Sequence, residues 1–357
     1  MDLRSESCGG EFFAAANTDR GFASYFDELF FGEGIERRYI IKGGPGTGKS
    51  TLMKRAAEHA RSAGRDVCIF YCSSDTTSVD AVVIDGRIAV LDGTAPHCVD
   101  TVLPGARDEI VDLGAFWSTA VLSARSDELA VLLGEKKAAY AQAYGYLCAA
   151  GQTEKTLGAL SAQCISREKL LASVERLCDR CFHTRGTQRP RIDHRQVSAL
   201  GVHGHAHLKT LYDRAHIRYC LLDHYGAARI YMQELLNSAV HRGQGVAVSH
   251  GALCAEIPTE MYFYDTGVYV YISDGGADGE DVKINMKRFT QASQIARIRR
   301  YYRAAHRASE VLCEVAQKQL CIAGELHARA ESIYATAMDF EALRAYTDKV
   351  IEKILAT

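Results

Sequence analysis

The chain matches itself. Arg38-Tyr39-Ile40-Ile41 lines up with Arg218-Tyr219-Cys220-Leu221, Val67-Cys68-Ile69 with Val246-Ala247-Val248, and 88–91 with 268–271. Further on, Leu147-Cys148-Ala149-Ala150-Gly151 lines up with Leu320-Cys321-Ile322-Ala323-Gly324, and the helix-like stretch 168–180 keeps step with 341–353. Matches in the same order along the chain mean that one structural plan is built twice. The copies run over about 1–185 and 190–357, joined by the polar, basic segment 184–194.

The plan can be read in either copy. Short apolar, β-branched runs at 38–42, 67–71, 81–84 and 88–91 predict strands, as do 218–222, 246–249, 261–264 and 268–272. Asp85-Gly86 marks a hairpin turn, with Thr266-Gly267 at the equivalent place. Helix-length segments, 49–63 and 229–242, separate the first two strands of each copy. Gly64 and Gly243 end them, as suits the left-handed residue after a helix. The second part of each copy, about 116–180 and 289–355, carries Ala, Leu, Glu, Lys and Arg at helical spacing with almost no breakers. The expected fold is α/β: a sheet duplicated in tandem, each half followed by a helical hairpin packed on it or projecting as a lid.

Composition narrows the class. The 357 residues are 47% hydrophobic and 24% charged, a globular mix that excludes a disordered or fibrous chain. A net charge of −2 gives no bulk attraction for nucleic acid or an anionic membrane. The 12 cysteines are scattered from Cys8 to Cys321 in a chain large enough to build its own core, unlike a disulfide framework. The start lacks the basic and apolar regions of a signal peptide, and no run of roughly 18 apolar residues occurs. The expectation is a soluble, cytoplasmic protein.

Gly43-Gly44-Pro45-Gly46-Thr47-Gly48-Lys49-Ser50-Thr51 fits G-x-x-x-x-G-K-[S/T], with a strand running in and a helix leading out. This is the P-loop pattern of nucleoside triphosphatases. Glycines let the backbone curl so that its N–H groups converge on phosphate, and the helix start adds its positive end. Lys49 is suited to the β- and γ-phosphates, and the Ser50 hydroxyl to a magnesium shell. The expected cofactors are ATP and Mg2+; adenine is favoured over guanine because no N-K-x-D motif appears. A magnesium carboxylate should end a strand. Asp92 is preferred over Asp85, since Gly93-Thr94 follows Asp92 as an open loop whereas Asp85 sits in the hairpin turn. Asp75, just past the second strand, and His97 are candidate catalytic groups, and no acidic residue follows Asp92 to polarise water.

In the second copy Ala228, Arg229 and Ile230 align with Gly48, Lys49 and Ser50, and Asp223 adds a charge hostile to phosphate. That half is expected to be structural, or to lend Arg218 or Arg229 to the first site. Cys178, Cys181 and His183 with His203, His205 and His207 invite a zinc reading that the spacing disfavours. The stretch 287–307 holds seven Lys and Arg residues without an acidic one, a density that could serve a nucleic acid or a solvated helix face.

On 38–53, Cys72-Ser73-Ser74-Asp75, Leu91-Asp92-Gly93-Thr94-Ala95-Pro96-His97 and Pro104-Gly105, the chain resembles a family of bacterial P-loop ATP-binding proteins with two tandem P-loop-like halves. The resemblance implies ATP binding and ATPase activity. It departs from the family where the second loop is degraded. Three functions are carried forward: a Mg-dependent ATPase with one site, a kinase for a small-molecule acceptor, and a non-enzymatic ATP sensor or scaffold with a protein partner.

Overall fold

Two six-stranded mixed sheets, one per repeat, are assembled in the same order. The computed structural model describes residues 9–182, 191–273, 275–276 and 279–357. The first repeat runs β1 (Gly10–Phe13), β2 (Ala15–Thr18), β3 (Gly21–Ser24), α1 (Phe26–Phe30), β4 (Arg37–Lys42), α2 (Lys49–Ser62), β5 (Val67–Tyr71), β6 (Val79–Ile84), β7 (Ile88–Asp92) and β8 (Asp108–Asp112). Its tail is α3 (Thr119–Ala124), α4 (Ser126–Ala162) and α5 (Arg167–Cys181). The second runs β9 (Ile192–His194), β10 (Ser198–Gly201), β11 (Gly204–His207), α6 (Thr210–Arg214), β12 (Ile217–Leu222), α7 (Ala227–His241), β13 (Val246–His250), β14 (Pro258–Phe263), β15 (Val268–Ser273) and β16 (Val282–Asn285). Its tail is α8 (Ala292–Ala337) and α9 (Phe340–Ala356).

The sheet orders are β1-β5-β6-β7-β4-β8 and β9-β13-β14-β15-β12-β16. In each, the three strands β5-β6-β7 or β13-β14-β15 pair antiparallel and the flanking strands join parallel. The duplication in sequence is therefore a duplication of topology. Gly64 and Gly243 have φ of 74° and 78°, and Asp85-Gly86 turns with φ of 51° and 65°, as their positions require.

The inner strands read as unbroken apolar runs because both of their faces are covered. Tyr39, Ile41, Val82, Ile84 and Val90 face outward to α2, whereas Ile40, Ala81, Val83, Ala89 and Leu91 face a central layer. That layer also takes α1, Leu211 of α6, and Ala247 and Tyr269 of the second sheet, so the sheets share one core.

The tails cross. Each follows its own repeat in sequence, but its last helix lies on the other repeat's sheet. Leu343, Val350 and Ile354 of α9 join the outer core of the first sheet beside α2, and Leu170, Val174 and Leu177 of α5 join that of the second beside α7. Each aliphatic side chain so buried contributes about 1.5–3 kcal/mol. Between the sheets' ends run α4 and α8, antiparallel, with Leu129 and Leu132 against Ala330 and Ile333, and Leu147 against Ala316 and Leu320. The repeated glycines have a local reason: a Cβ on Gly151 would meet Asp19 at 2.4 Å, and one on Gly324 would meet Val202 at 2.8 Å. Each lets its helix lie on the hairpin of its own repeat.

The strands β1, β2, β3, β8, β9, β10, β11 and β16 were outside the sequence-based expectation. They are three to five residues long, and several carry charged or histidine-rich segments such as Asp108–Asp112 and Gly204–His207. The His-rich run is the outer strand of a β10–β11 hairpin. Cys178 is buried in the second core, and Cys181 donates to the Tyr219 hydroxyl; His183 lies outside the described residues. Among the described residues no helix is long and apolar enough to cross a membrane.

Candidate functional site

The segment between β4 and α2 is held from three sides. Gly43 packs on Thr47 and Leu113, and the buried Thr47 hydroxyl donates to the Gly44 carbonyl at 2.8 Å. Gly44 lies under the Tyr334 ring, where a Cβ would come within 2.7 Å, and Gly46 lies against the Glu331 backbone. Pro45 is half-buried, and Thr51 is exposed on the first turn of α2. Gly48 caps the helix from the left-handed region, φ 86°, and its helix start receives no side-chain cap. The N–H groups of a first helical turn have no intrahelical acceptor, so this end carries donors and partial positive charge.

Lys49 folds back over the loop. Its ammonium donates to the Gly44 and Gly43 carbonyls at 2.9 and 3.2 Å and stands 3.7 Å from Asp92. Asp92 ends β7 and accepts from the Thr94 N–H and hydroxyl at 2.8 and 2.6 Å. Burial raises its pKa above the ordinary carboxylate value; Lys49 and Thr94 oppose that, and Asp80 adds to it. Ser50, one residue after Lys49, accepts from the Val79 N–H at 3.0 Å. Lys49 and Asp92 are thus brought together, and Ser50 meets the chain one residue before Asp80. Asp85 is at the opposite end of the β6–β7 hairpin, bonded to Arg65 and the Asp66 N–H, away from this group.

His97 reaches the same cluster through a residue that the motif reading missed. Its Nε2 is 3.1 Å from Asp80 Oδ2, its ring stacks on Phe26 at 3.9 Å, and its Nδ1 is buried without a partner among the described residues. Asp80 was legible: with the turn at Asp85-Gly86, Ala81 pairs with Leu91, and one residue further along stand Asp80 and Asp92. Asp75 lies apart. It accepts from the Thr77 N–H and hydroxyl in a turn, and His203 approaches it at 3.7 Å.

The equivalent place in the second repeat corrects the sequence alignment. Gly226, φ 75°, is the left-handed cap of α7, so Gly226 replaces Gly48, Ala227 replaces Lys49 and Ala228 replaces Ser50. The loop is two residues shorter than an alignment through Arg229 requires. Asp223 accepts from the N–H groups of Gly226 and Ala228, both at 2.8 Å, and fills the helix start with its own carboxylate. Arg229 pairs with Glu154 at 3.5 Å and Arg218 with Asp281 at 2.8 Å. Neither is presented to the first loop; Glu331 and Tyr334 of α8 and Leu343 of α9 are second-repeat residues that lie against it. The basic stretch and the degraded loop meet: Arg303, His306 and Arg307 of α8 face Asp223, His224 and Tyr225 across a cleft of about 780 Å3.

A family model described as Nephrocystin 3, N-terminal, matches residues 26–83, a stretch that contains α1, the 43–51 segment and Asp80. No curated protein and no solved structure gives a significant match.

Proposed function

We propose that the first repeat is a P-loop nucleotide site that binds Mg-ATP and hydrolyses it. The observation that carries this reading is the uncapped start of α2 with Lys49 laid across the loop and 3.7 Å from the strand-end carboxylate of Asp92. Phosphate oxygens would answer the N–H groups of 43–51, and Lys49 would leave the loop carbonyls for them. Ser50 and Asp92, with Asp80 behind, form an all-oxygen donor set that suits magnesium, which would neutralise charge on the β- and γ-phosphates. The raised pKa of Asp92 reflects a buried carboxylate short of positive charge, which a cation would supply.

Transfer to a small-molecule acceptor is the second reading, favoured by one feature: the Asp80–His97 pair, an acid–base couple beside Asp92. Release of ADP from Mg-ATP, with and without a small-molecule cell extract, separates the two. Turnover without extract that Lys49→Ala abolishes supports hydrolysis; Lys49-dependent turnover only with extract supports transfer. Binding of Mg-ATP with neither leaves an ATP sensor. No binding at all sinks every form of the reading.

A further inference from the structure

The loop in the first repeat already holds a carboxylate. Glu331, in the last two turns of α8 and partly exposed, accepts from the Gly46 N–H at 3.3 Å. It does not stand alone. His327, one turn earlier, places Nε2 3.6 Å from the same Glu331 oxygen, and its Nδ1 is 2.9 Å from the ammonium of Lys136 on α4. An ammonium can only donate, so His327 Nδ1 accepts and the ring carries its proton on Nε2, toward Glu331. Burial, with the charges of Lys136 and Lys49, pushes His327 down to about 4, which keeps that tautomer neutral. Lys136 is itself pushed down by burial and by Lys49, with Glu331 opposing. Two ammonium groups, one carboxylate and one glycine-rich loop therefore lie close enough to sense one another.

We infer that Glu331 is an internal competitor for the phosphate position of the 43–51 loop, and that Lys136, held off by His327 and Glu331, becomes the γ-phosphate ligand when phosphate displaces that carboxylate. This rests on the nucleotide reading above and adds to it how the site is gated. A phosphate oxygen and Glu331 Oε1 cannot both take the Gly46 N–H. An anion in the loop also repels Glu331, and its departure frees the cation chain it was neutralising. Only a nucleotide with a third phosphate extends toward the α4–α8 pair from a loop that grips the second, so Lys136 distinguishes ATP from ADP. The two long helices then follow the phosphate state of the site.

The test is titration calorimetry of Mg-ATP and Mg-ADP with the full chain. Relative to the wild type, Glu331→Ala should bind both nucleotides roughly tenfold tighter, because a competing charge-assisted hydrogen bond is removed. Lys136→Met, which keeps most of the buried stem, should weaken ATP roughly tenfold or more and leave ADP within about twofold. Lys136→Arg, which keeps the charge, should retain the preference for ATP. Equal or weaker binding by Glu331→Ala overturns the competitor role. An unchanged ATP-to-ADP ratio in Lys136→Met, in protein whose thermal unfolding remains cooperative, overturns the role of Lys136. Absence of wild-type binding, or binding that survives Lys49→Ala, instead removes the nucleotide reading and this inference with it.

Discussion

The starts of α2 and α7 share a backbone and differ in chemistry. Both helices follow the strand at the same place in their sheet, and both enter through a glycine in the left-handed region, Gly48 at 86° and Gly226 at 75°. In the first, no side chain caps the helix and a lysine is N1; in the second, Asp223 takes two of the N–H groups and alanines occupy N1 and N2. The fold needs the glycine in either case, to turn the chain from strand to helix. What it does not fix is which group answers the free N–H donors. An external anion and an internal carboxylate are alternative solutions to one problem of unsatisfied donors. Glu331 on Gly46 is an intermediate case, a carboxylate supplied from a distant helix that can leave.

The comparison can be pressed hardest at the Arg–Asp pair each repeat keeps at the start of the strand that leads into its loop. Both carboxylates are buried, Asp108 at 0% and Asp281 at 1% exposed, but Arg38 is 4% exposed and Arg218 30%. Arg38→Ala strands a buried carboxylate and should lower stability by about 3–5 kcal/mol. Arg218→Ala leaves the Asp281 carboxylate its hydrogen bonds from the Tyr212 and Tyr271 hydroxyls and should cost less than Arg38→Ala; urea unfolding of both variants measures the difference. Burial raises the pKa of Asp108, but Arg38 and the Leu103 and Val102 N–H groups outweigh it and hold it below the ordinary value. That stabilisation is complete above the unfolded pKa of about 4 and is lost as pH falls through the folded one. The deficit of Arg38→Ala should accordingly shrink in acid.

Next come the glycines. Alanine in the left-handed region costs about 1–2 kcal/mol at either loop. At Gly46, φ 68°, the added Cβ would also stand 2.8 Å from the Glu331 carbonyl, while at Gly226 the nearest atom is 3.6 Å away. Gly46→Ala should thus destabilise more than Gly226→Ala and should lift α8 from the loop, visible as faster amide exchange around Glu331. Equal losses would mean that α8 does not press on the first loop in solution. The smallest effect is expected at Asp223→Ala, which removes an internal cap and should cost about 1 kcal/mol. It should create no nucleotide binding, because Ala227 and Ala228 stand where Lys49 and Ser50 stand in the first repeat. Mg-ATP binding by that variant that survives Lys49→Ala would break the asymmetry drawn between the repeats.

Local signals made the sheets and the first loop readable. Runs such as Tyr39-Ile40-Ile41 and Val82-Val83-Ile84 are apolar on both faces, and Gly64, Gly86 and Gly243 sit where φ is positive. The edge strands were not readable, since Asp108–Asp112 and Gly204–His207 have one wet side and too few residues for alternation to show. The second loop was misaligned by two residues because the offset that aligns 38–41 with 218–221 was carried on through it, whereas the conformation at Gly226 sets the true correspondence. Lys136, His327 and Glu331 carry no local mark: they meet the loop only because α4 and α8 pair antiparallel over their length. Asp80 is the exception, a site residue that hairpin register alone could have found.

The crossing of α5 and α9 gives the chain the architecture of an exchanged dimer written as one polypeptide. Two subunits that trade their last helix must each keep the surface that receives the partner's, whatever else they lose. In this chain the second half is bound by that obligation. It supplies Leu343, Val350 and Ile354 to the first sheet and Glu331 to the first loop, and none of these duties runs through Asp223–Gly226. Its own loop was free to close on itself, while its tail was not free to drift.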